Sequence, residues 1–445
     1  MPVNDRRELF GWAMYDWANS GFQTTVITVL SGPYLTALAR HEVGENGVIF
    51  GAGPFVVTAK SLFPYCIGLS VLLSVFLLPW LGAIVDFTSA KKRLLKLFCY
   101  TGSAATCLLW FVTEHRYLLG GALIVAANLA FGSSLVLYNA FLNDIASEDR
   151  RDQVSSRGFA VGYLGGGLLL LVNLGLIQSA ARLGLDNGTA VRLSLASAGV
   201  WWAGFAAFAF SRLHARRPER RLKADESYVR AGLDQLAHSF HKLQQLPHTR
   251  RYLLSYMFFN DGIQTVISMT SLFLSQELFV ARGLPEDQGF LIGLILMVQF
   301  VAFFGAEAFE RIARSAGTKG AILISLVIWS GVIVYAYGWL QTTAQAWAIG
   351  AVIALVLGGS QALSRSLFSR MIPPGHEASF FGVYEISERG TSWIGPLLFG
   401  FVAAATNSYR QAMLSLIVLF VVGMTGLVMT DVDQAVADSG RPAEI

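Results

Sequence analysis

The sequence predicts an all-α membrane protein of twelve transmembrane helices, arranged as two similar halves of six. Three observations carry that prediction. The first is composition: 54% of the 445 residues are hydrophobic and 14% are charged, with a mean hydropathy of +0.52. A soluble domain would carry about a quarter charged residues. The second is length, because twelve apolar stretches of about 20 residues or more suit helices that cross the hydrocarbon core. Membrane strands would be about ten residues long, with alternating polarity. The third is an internal echo. Asn19-Ser20-Gly21-Phe22-Gln23-Thr24 returns as Asn260-Asp261-Gly262-Ile263-Gln264-Thr265, each time inside an apolar run. Gly82 to Asp86 aligns with Gly305 to Phe309 at an offset of 223, Asn139 to Leu142 with Gln361 to Ser364 at 222, and Arg157 to Phe159 with Phe381 to Val383 at 224. A steady offset is what tandem duplication leaves. The first echo is about 18 residues out of step because the loop around Arg40 to Lys60 is longer.

The elements follow in order. Met1 to Glu8 holds two arginines but no short apolar region ending in a cleavage site, so the first span, 10–38, reads as a retained helix rather than a signal peptide. Spans two (61–85) and three (94–113) contain Cys66, Cys99 and Cys107, which show no metal-ligand spacing and imply no disulfide framework. Span four covers 117–140. Span five, 158–181, carries Gly158, Gly162 and Gly166, a small-residue face at spacing four that suits close helix packing. Span six is 190–211, which completes a first domain over residues 1–211. A basic connector over 212–250 follows. Within it, Leu233, Leu236, Phe240 and Leu243 recur like one face of a helix over Tyr228 to Leu246. Such a helix would attract anionic lipid head groups; the plainer reading is a charged linker. Nucleic-acid binding is not expected, since a connector between membrane halves explains the charge. Spans seven to twelve, at 252–277, 287–309, 320–340, 344–367, 379–405 and 411–430, form a second domain over 251–430, with a tail over 431–445.

Positive charge sets the orientation. With the N-terminus in the cytoplasm, 25 Lys and Arg fall in the inside segments and seven in the outside loops, while Arg389 lies within a span. That asymmetry places both termini and the connector in the cytoplasm. A bacterial inner membrane is the expected location.

No enzymatic signature is present: there is no His-Glu-x-x-His, no Gly-x-Ser-x-Gly and no phosphate loop ending in Gly-Lys-Ser/Thr. No cofactor is expected. Two membrane halves with a site between them are the architecture of a secondary transporter. Without a nucleotide site, an ion gradient or the solute's own gradient must supply the energy. All seven histidines fall in loops or at their edges, which argues against a histidine relay through the membrane.

Ionisable groups inside spans usually face a cavity. Here they are Asp16, Asp261, Glu385, Glu388 and Arg389, with Arg365 near the cytoplasmic end of its span. Asp261 lies about ten residues into its helix, roughly 15 Å from the start, hence near the midplane. A carboxylate there can exchange protons, hold a substrate amine, or be capped by helix neighbours such as Asn260 and Gln264. Asp16 lies only about 9 Å from its helix start by the same rise. Glu385 and Arg389 have the spacing of an intrahelical ion pair, which leaves Glu388 to find water, a cation or a proton. The amides Asn19, Gln23, Asn139, Asn260, Gln264 and Gln361 sit at repeat-related positions and should mostly point inward, either to bind solute or to staple helices. Asp86, followed by Lys91, Lys92 and Arg93, joins spans two and three; the acid can pair with the other half and act as a gate, or the segment is an ordinary basic loop.

The Gly82-x-x-x-Asp86-x(4)-Lys91-Lys92-Arg93 segment resembles the loop motif of the major facilitator superfamily, although Ser89 and Ala90 replace the usual Gly and Arg. Tyr15 to Ser20, Ser155 to Tyr163, Asn260 to Thr265, Gly359 to Ser366 and Phe380 to Glu385 together look like the branch that includes the fungal vacuolar amino-acid effluxer and many bacterial relatives. The resemblance covers roughly residues 10–430. It implies a small polar solute, amino acids or similar zwitterions, moved by alternating access and preferentially exported, with protons as a possible coupled ion. Monomers in contact with membrane lipids are expected. The alternatives are a lipid-like or drug-like substrate, which would need a greasier cavity, and a non-transporting receptor or scaffold, which would normally carry a large extra domain.

Overall fold

The computed structural model describes residues 3–44, 48–50, 57–59, 61–86, 90–214, 241–284, 288–389, 394–406 and 408–440. The first span is one helical run in three parts: α1 (Arg6–Gly21), a π-helical stretch (Phe22–Leu30) and α2 (Ser31–Val43). Asp5 caps its start by accepting from the Arg7 N–H at 2.9 Å. Two short strands, β1 (Val48–Phe50) and β2 (Val57–Thr58), then pair antiparallel in what the sequence presents only as a loop. The remaining helices of the first half are α3 (Leu62–Asp86), α4 (Lys91–Leu108), α5 (Tyr117–Ile145), α6 (Arg151–Gln178) and α7 (Asn187–Arg212). The second half comprises α8 (Pro247–Leu278), α9 (Gln288–Ala316), α10 (Thr318–Gly338), α11 (Thr343–Arg370), α12 (Glu377–Arg389), α13 (Ile394–Thr406), α14 (Tyr409–Ser415) and α15 (Ile417–Val428), before the short terminal α16 (Val432–Asp438). The helix expected over Tyr228 to Leu246 falls mostly on 215–240, outside the described residues; 241–244 are helical.

Among the described residues, nine helices are long and apolar enough to cross a membrane. The three expected spans missing from that set are the first, the seventh and the eleventh. The first and seventh carry the polar phrases around Asp16 and Asp261, and the described parts of the eleventh are each 13 residues long. Span eleven is described as α12 and α13, and residues 390–393 between them lie outside the described residues.

Close packing builds the first half around α1. Gly158, Gly162 and Gly166 of α6 lie against Asp16, Ser20 and Thr24, a matching run at spacing four. A Cβ on each glycine would come within 2.6 Å of Asp16 Oδ2, 2.8 Å of Ser20 Oγ and 2.7 Å of Thr24 Oγ1. Aromatic rings fill the interior: Trp12 stacks on Tyr138 at 4.4 Å in the first half, and Tyr256 on Tyr384 at 4.5 Å in the second. The halves meet where α3 packs on α12 and where α6 packs on α9 and α11. Cys66 and Cys99 are free and buried, and Cys107 is free and half-buried.

Candidate functional site

A chain of charged and polar groups crosses from one half to the other in the interior. Its centre is Arg365 of α11, which is only 3% exposed. The guanidinium lies 4.3 Å from the Phe159 ring, 4.8 Å from Trp12 and 5.6 Å from Tyr138, so three faces of a cation box come from the opposite half. Its Nε donates to Ser155 Oγ at 2.9 Å, Nη2 to the Ser155 carbonyl at 3.0 Å, and Nη1 to Asn139 Oδ1 at 3.2 Å. Asp16 Oδ2 lies 3.5 Å from Nη1 and accepts from the Tyr138 hydroxyl at 2.7 Å. Asn139 continues the chain, donating from Nδ2 to Glu385 Oε1 at 2.8 Å. The order Asp16, Arg365, Asn139, Glu385 therefore alternates between halves. Gly158 makes room for it, since a Cβ there would lie 2.6 Å from Asp16 Oδ2 and 3.1 Å from Arg365 Nη2.

Burying these charges is tolerable only while each has its partner. Removing one member of a buried pair leaves an uncompensated charge, at a cost of about 3–5 kcal/mol. The chain is thus stable with the halves together at this level and requires water or another ion when they separate.

Asn260 and Asp261 of α8 contact the two described parts of span eleven. Asn260 Nδ2 donates to the Glu388 carbonyl, near the end of α12, at 3.3 Å. Asp261 Oδ2 accepts from the Gly395 N–H, at the start of α13, at 2.7 Å. The capping of Asp261 therefore comes from a neighbouring helix, where an anion suits the helix N-terminus, and its own-helix neighbours Asn260 and Gln264 do not supply it.

At the membrane end shared with residue 4, whose N–H donates to the Ile145 carbonyl at 2.8 Å, a polar seam joins the halves. Asp86 at the end of α3 accepts from the backbone N–H groups of Ala378 (2.8 Å) and Ser379 (2.9 Å), and from the Ser379 hydroxyl (2.6 Å), at the first turn of α12. Gly82 permits that approach, since a Cβ would fall 2.2 Å from the Ala378 carbonyl. Its repeat partner Gly305 makes an equally tight contact inside its own half, against the Leu355 carbonyl. Asp152 of α6 accepts from the Thr318 hydroxyl at 2.5 Å and pairs with Arg370 at 2.8 Å. The basic residues after Asp86 bind within the first half instead: Lys91 pairs with Asp144 at 2.8 Å, Lys92 donates to the Leu213 carbonyl at 2.5 Å, and Arg93 is exposed.

The other sequence candidates distribute as follows. Asn19 is buried and its Nδ2 lacks a hydrogen-bond partner. Gln23 is exposed on the π-helical stretch, and Gln264 is half-buried. Gln361 is half-buried and accepts from Tyr163 of the opposite half at 2.5 Å. Glu388 is half-buried. The side chain of Arg389 lies outside the described residues, so the expected pair with Glu385 does too; the described partner of Glu385 is Asn139. Sequence reasoning named Arg365 only as an ionisable group near a span end and left Tyr138, Ser155 and Thr265 out of the site. The signal for Arg365 was available, as an arginine inside the Gly359 to Ser366 phrase.

A bundle of membrane helices in two packed halves, with a buried ion chain and a polar seam between them, defines a multi-pass membrane protein of the major facilitator fold. Solved structures agree on the fold. The human organic anion transporter MFSD10 superposes with a TM-score of 0.70 at 15% identity, over 96% of this chain and 100% of that one. FucP, a major facilitator superfamily transporter solved in the outward conformation, gives 0.68 at 13% identity, over 96% and 98%. The chain belongs to the Atg22-like vacuole effluxer family, whose model matches residues 4–440. It is 29% identical over 431 residues to the MFS-type transporter YxiO of Bacillus subtilis, covering 95% of this chain and 96% of that one. Autophagy-related protein 22-1 of Emericella nidulans is 25% identical, covering 100% and 93%. The class is that of transporters, not enzymes.

Proposed function

We propose that this chain is a secondary transporter that moves a small zwitterionic solute, of the amino-acid class, by rocking two six-helix halves around the ion chain at their centre. The observation that carries the reading is that chain: Arg365 offers a partner for a carboxylate, and Asp16 and Glu385 offer partners for an ammonium group, all within one buried network shared by both halves. A zwitterion entering between the halves can replace the internal partners one for one, so separation of the halves need not strand a charge. Direction of export is favoured by the family's description as an effluxer. A cation gradient, of protons or another monovalent ion, is the proposed driving force.

The working topology has residues 1–211 and 251–430 as the two halves, the 212–250 connector and the 431–445 tail in the cytoplasm, and a cell membrane as the location. On that orientation the Asp86 and Asp152 seam closes the cytoplasmic side. The test is a panel of radiolabelled metabolites in proteoliposomes, measured for uptake and efflux with and without ion gradients. Selective flux of amino acids supports the reading, and flux of lipid-like or drug-like compounds alone refutes it.

A further inference from the structure

Away from the ion chain, the outer side of the first half carries a groove of about 800 Å³ between α1 and α7. Phe10 and Met14 form one wall, and Leu193, Phe205 and Phe208 the other. Phe10 is 49% exposed and Val200, which also lines the groove, is 65% exposed, so the groove opens sideways from the bundle. The polar groups in its lining are already engaged by the protein. Ser197 Oγ donates to the Ser194 carbonyl at 2.8 Å, and Trp201 Nε1 donates to the Trp17 carbonyl at 3.2 Å. Such a lining gives a polar solute no compensating hydrogen bond and suits a hydrocarbon chain. Between Leu193 and Phe208 the groove follows α7 for about 22 Å, longer than the roughly 15 Å of hydrocarbon in one leaflet. Gly204 keeps it open, since an added Cβ there would meet nothing within 4 Å.

One end of the groove is basic. Arg212, the last residue of α7, stacks its guanidinium over the Phe208 ring at 5.2 Å. Its stem lies against α1, where a Cβ on Gly11 would come within 2.4 Å of Arg212 Cβ. Arg7 sits one turn before Gly11, on the helix side that carries Phe10 and Met14. The acids beside the two arginines are used otherwise: Asp5 caps α1 through the Arg7 backbone N–H, and buried Glu8 accepts from the His214 backbone N–H at 3.0 Å. Among the described residues neither guanidinium is paired with a carboxylate. We propose that the groove seats an acyl chain of an anionic phospholipid, with Arg7 and Arg212 holding its phosphate. An arginine fork matches phosphate oxygens, and the stem of such a side chain packs on apolar surface while its charge reaches the head-group level. The proposed topology puts this end in the cytoplasmic leaflet, where anionic lipid attracts basic side chains; the match of groove to arginines holds on either orientation. Occupancy would clamp α1 to α7, and α1 also carries Asp16 of the ion chain.

The site involves no solute, so its test is a binding measurement on the full chain in detergent. Tm is recorded against rising phosphatidylglycerol, phosphatidylcholine with the same acyl chains, and inorganic phosphate. The expected result is a saturable rise with phosphatidylglycerol that the other two do not reproduce. Arg212→Gln should raise the half-saturating phosphatidylglycerol about fivefold, the worth of one basic side chain near an anionic head group. Gly204→Trp grows into the groove from a position with room for its Cβ, and should weaken the response at least as much. If that variant does not fold, Gly204→Leu takes its place. No rise with phosphatidylglycerol, equal rises with both lipids, a rise with phosphate alone, or a phosphatidylglycerol response unchanged by either substitution would each overturn the proposal.

Discussion

Asp86→Asn is the substitution that isolates the seam between the halves. The carboxylate takes three donors at the first turn of α12, from Ala378 N, Ser379 N and Ser379 Oγ. Asn keeps one oxygen for one N–H, but its own NH₂ then faces the donors of Ser379. The lost anion at a helix N-terminus is worth about 0.3–2 kcal/mol, and each charged hydrogen bond exceeds its neutral counterpart by about 1 kcal/mol. Together, over the three bonds, they weaken the closed seam by about 3–5 kcal/mol, which is a factor of about 150–5,000 in the closed-to-open ratio. The Asp152 contacts with Thr318 and Arg370 remain and set the starting ratio. The assay is a spin-label distance across the seam, from Arg93→Cys to Arg311→Cys. Both positions are exposed, and the background has Cys66, Cys99 and Cys107 replaced. Asp86→Asn should move population to a longer distance and lower transport per folded protein. Unchanged distances and unchanged transport in a well-expressed variant would reduce the segment to an ordinary basic loop.

Three further outcomes follow from the packing and the charges. Gly162→Leu should lower Tm through overpacking against Ser20 Oγ, 2.8 Å from the position of the new Cβ, at a cost of about 1–3 kcal/mol; an unchanged Tm would mean that α1 and α6 are not held this close. Arg365→Met should destabilise by about 3–5 kcal/mol, because Asp16 and the Asn139–Glu385 link lose their cation, and Arg365→Met combined with Asp16→Asn should recover part of the loss. A reporter fused after Ile445 should be active only when its chemistry works in the cytoplasm; activity confined to the external side would invert the topology.

Much of the fold was legible because the membrane imposes length and apolarity on each span. The glycine face of span five was equally legible, since Gly158, Gly162 and Gly166 share one helix side whatever they meet. Its partners were not, because Asp16, Ser20 and Thr24 match it only once α1 is laid beside α6. The same holds for the site. Helical spacing pairs Glu385 with Arg389, whose side chain lies outside the described residues; the contact of Glu385 with Asn139, 246 residues away, has no such signal. Spacing along one helix carries no information about a partner in the other half. The π-helical turn at Phe22–Leu30 and the pair of short strands have no comparable local signal.

The central claim is that the Asp16–Arg365–Asn139–Glu385 chain is where solute binds while the halves exchange. Counterflow of radiolabelled zwitterionic amino acids in proteoliposomes tests it without any assumption about the coupling ion. Wild-type protein should exchange at least one of them saturably, and Asp16→Asn should lose that exchange in protein that still folds, with the lowered Tm that loss of one member of a buried pair brings. Folded wild-type protein that exchanges no zwitterion above leakage, or a stable Asp16→Asn variant with full counterflow, would contradict the account.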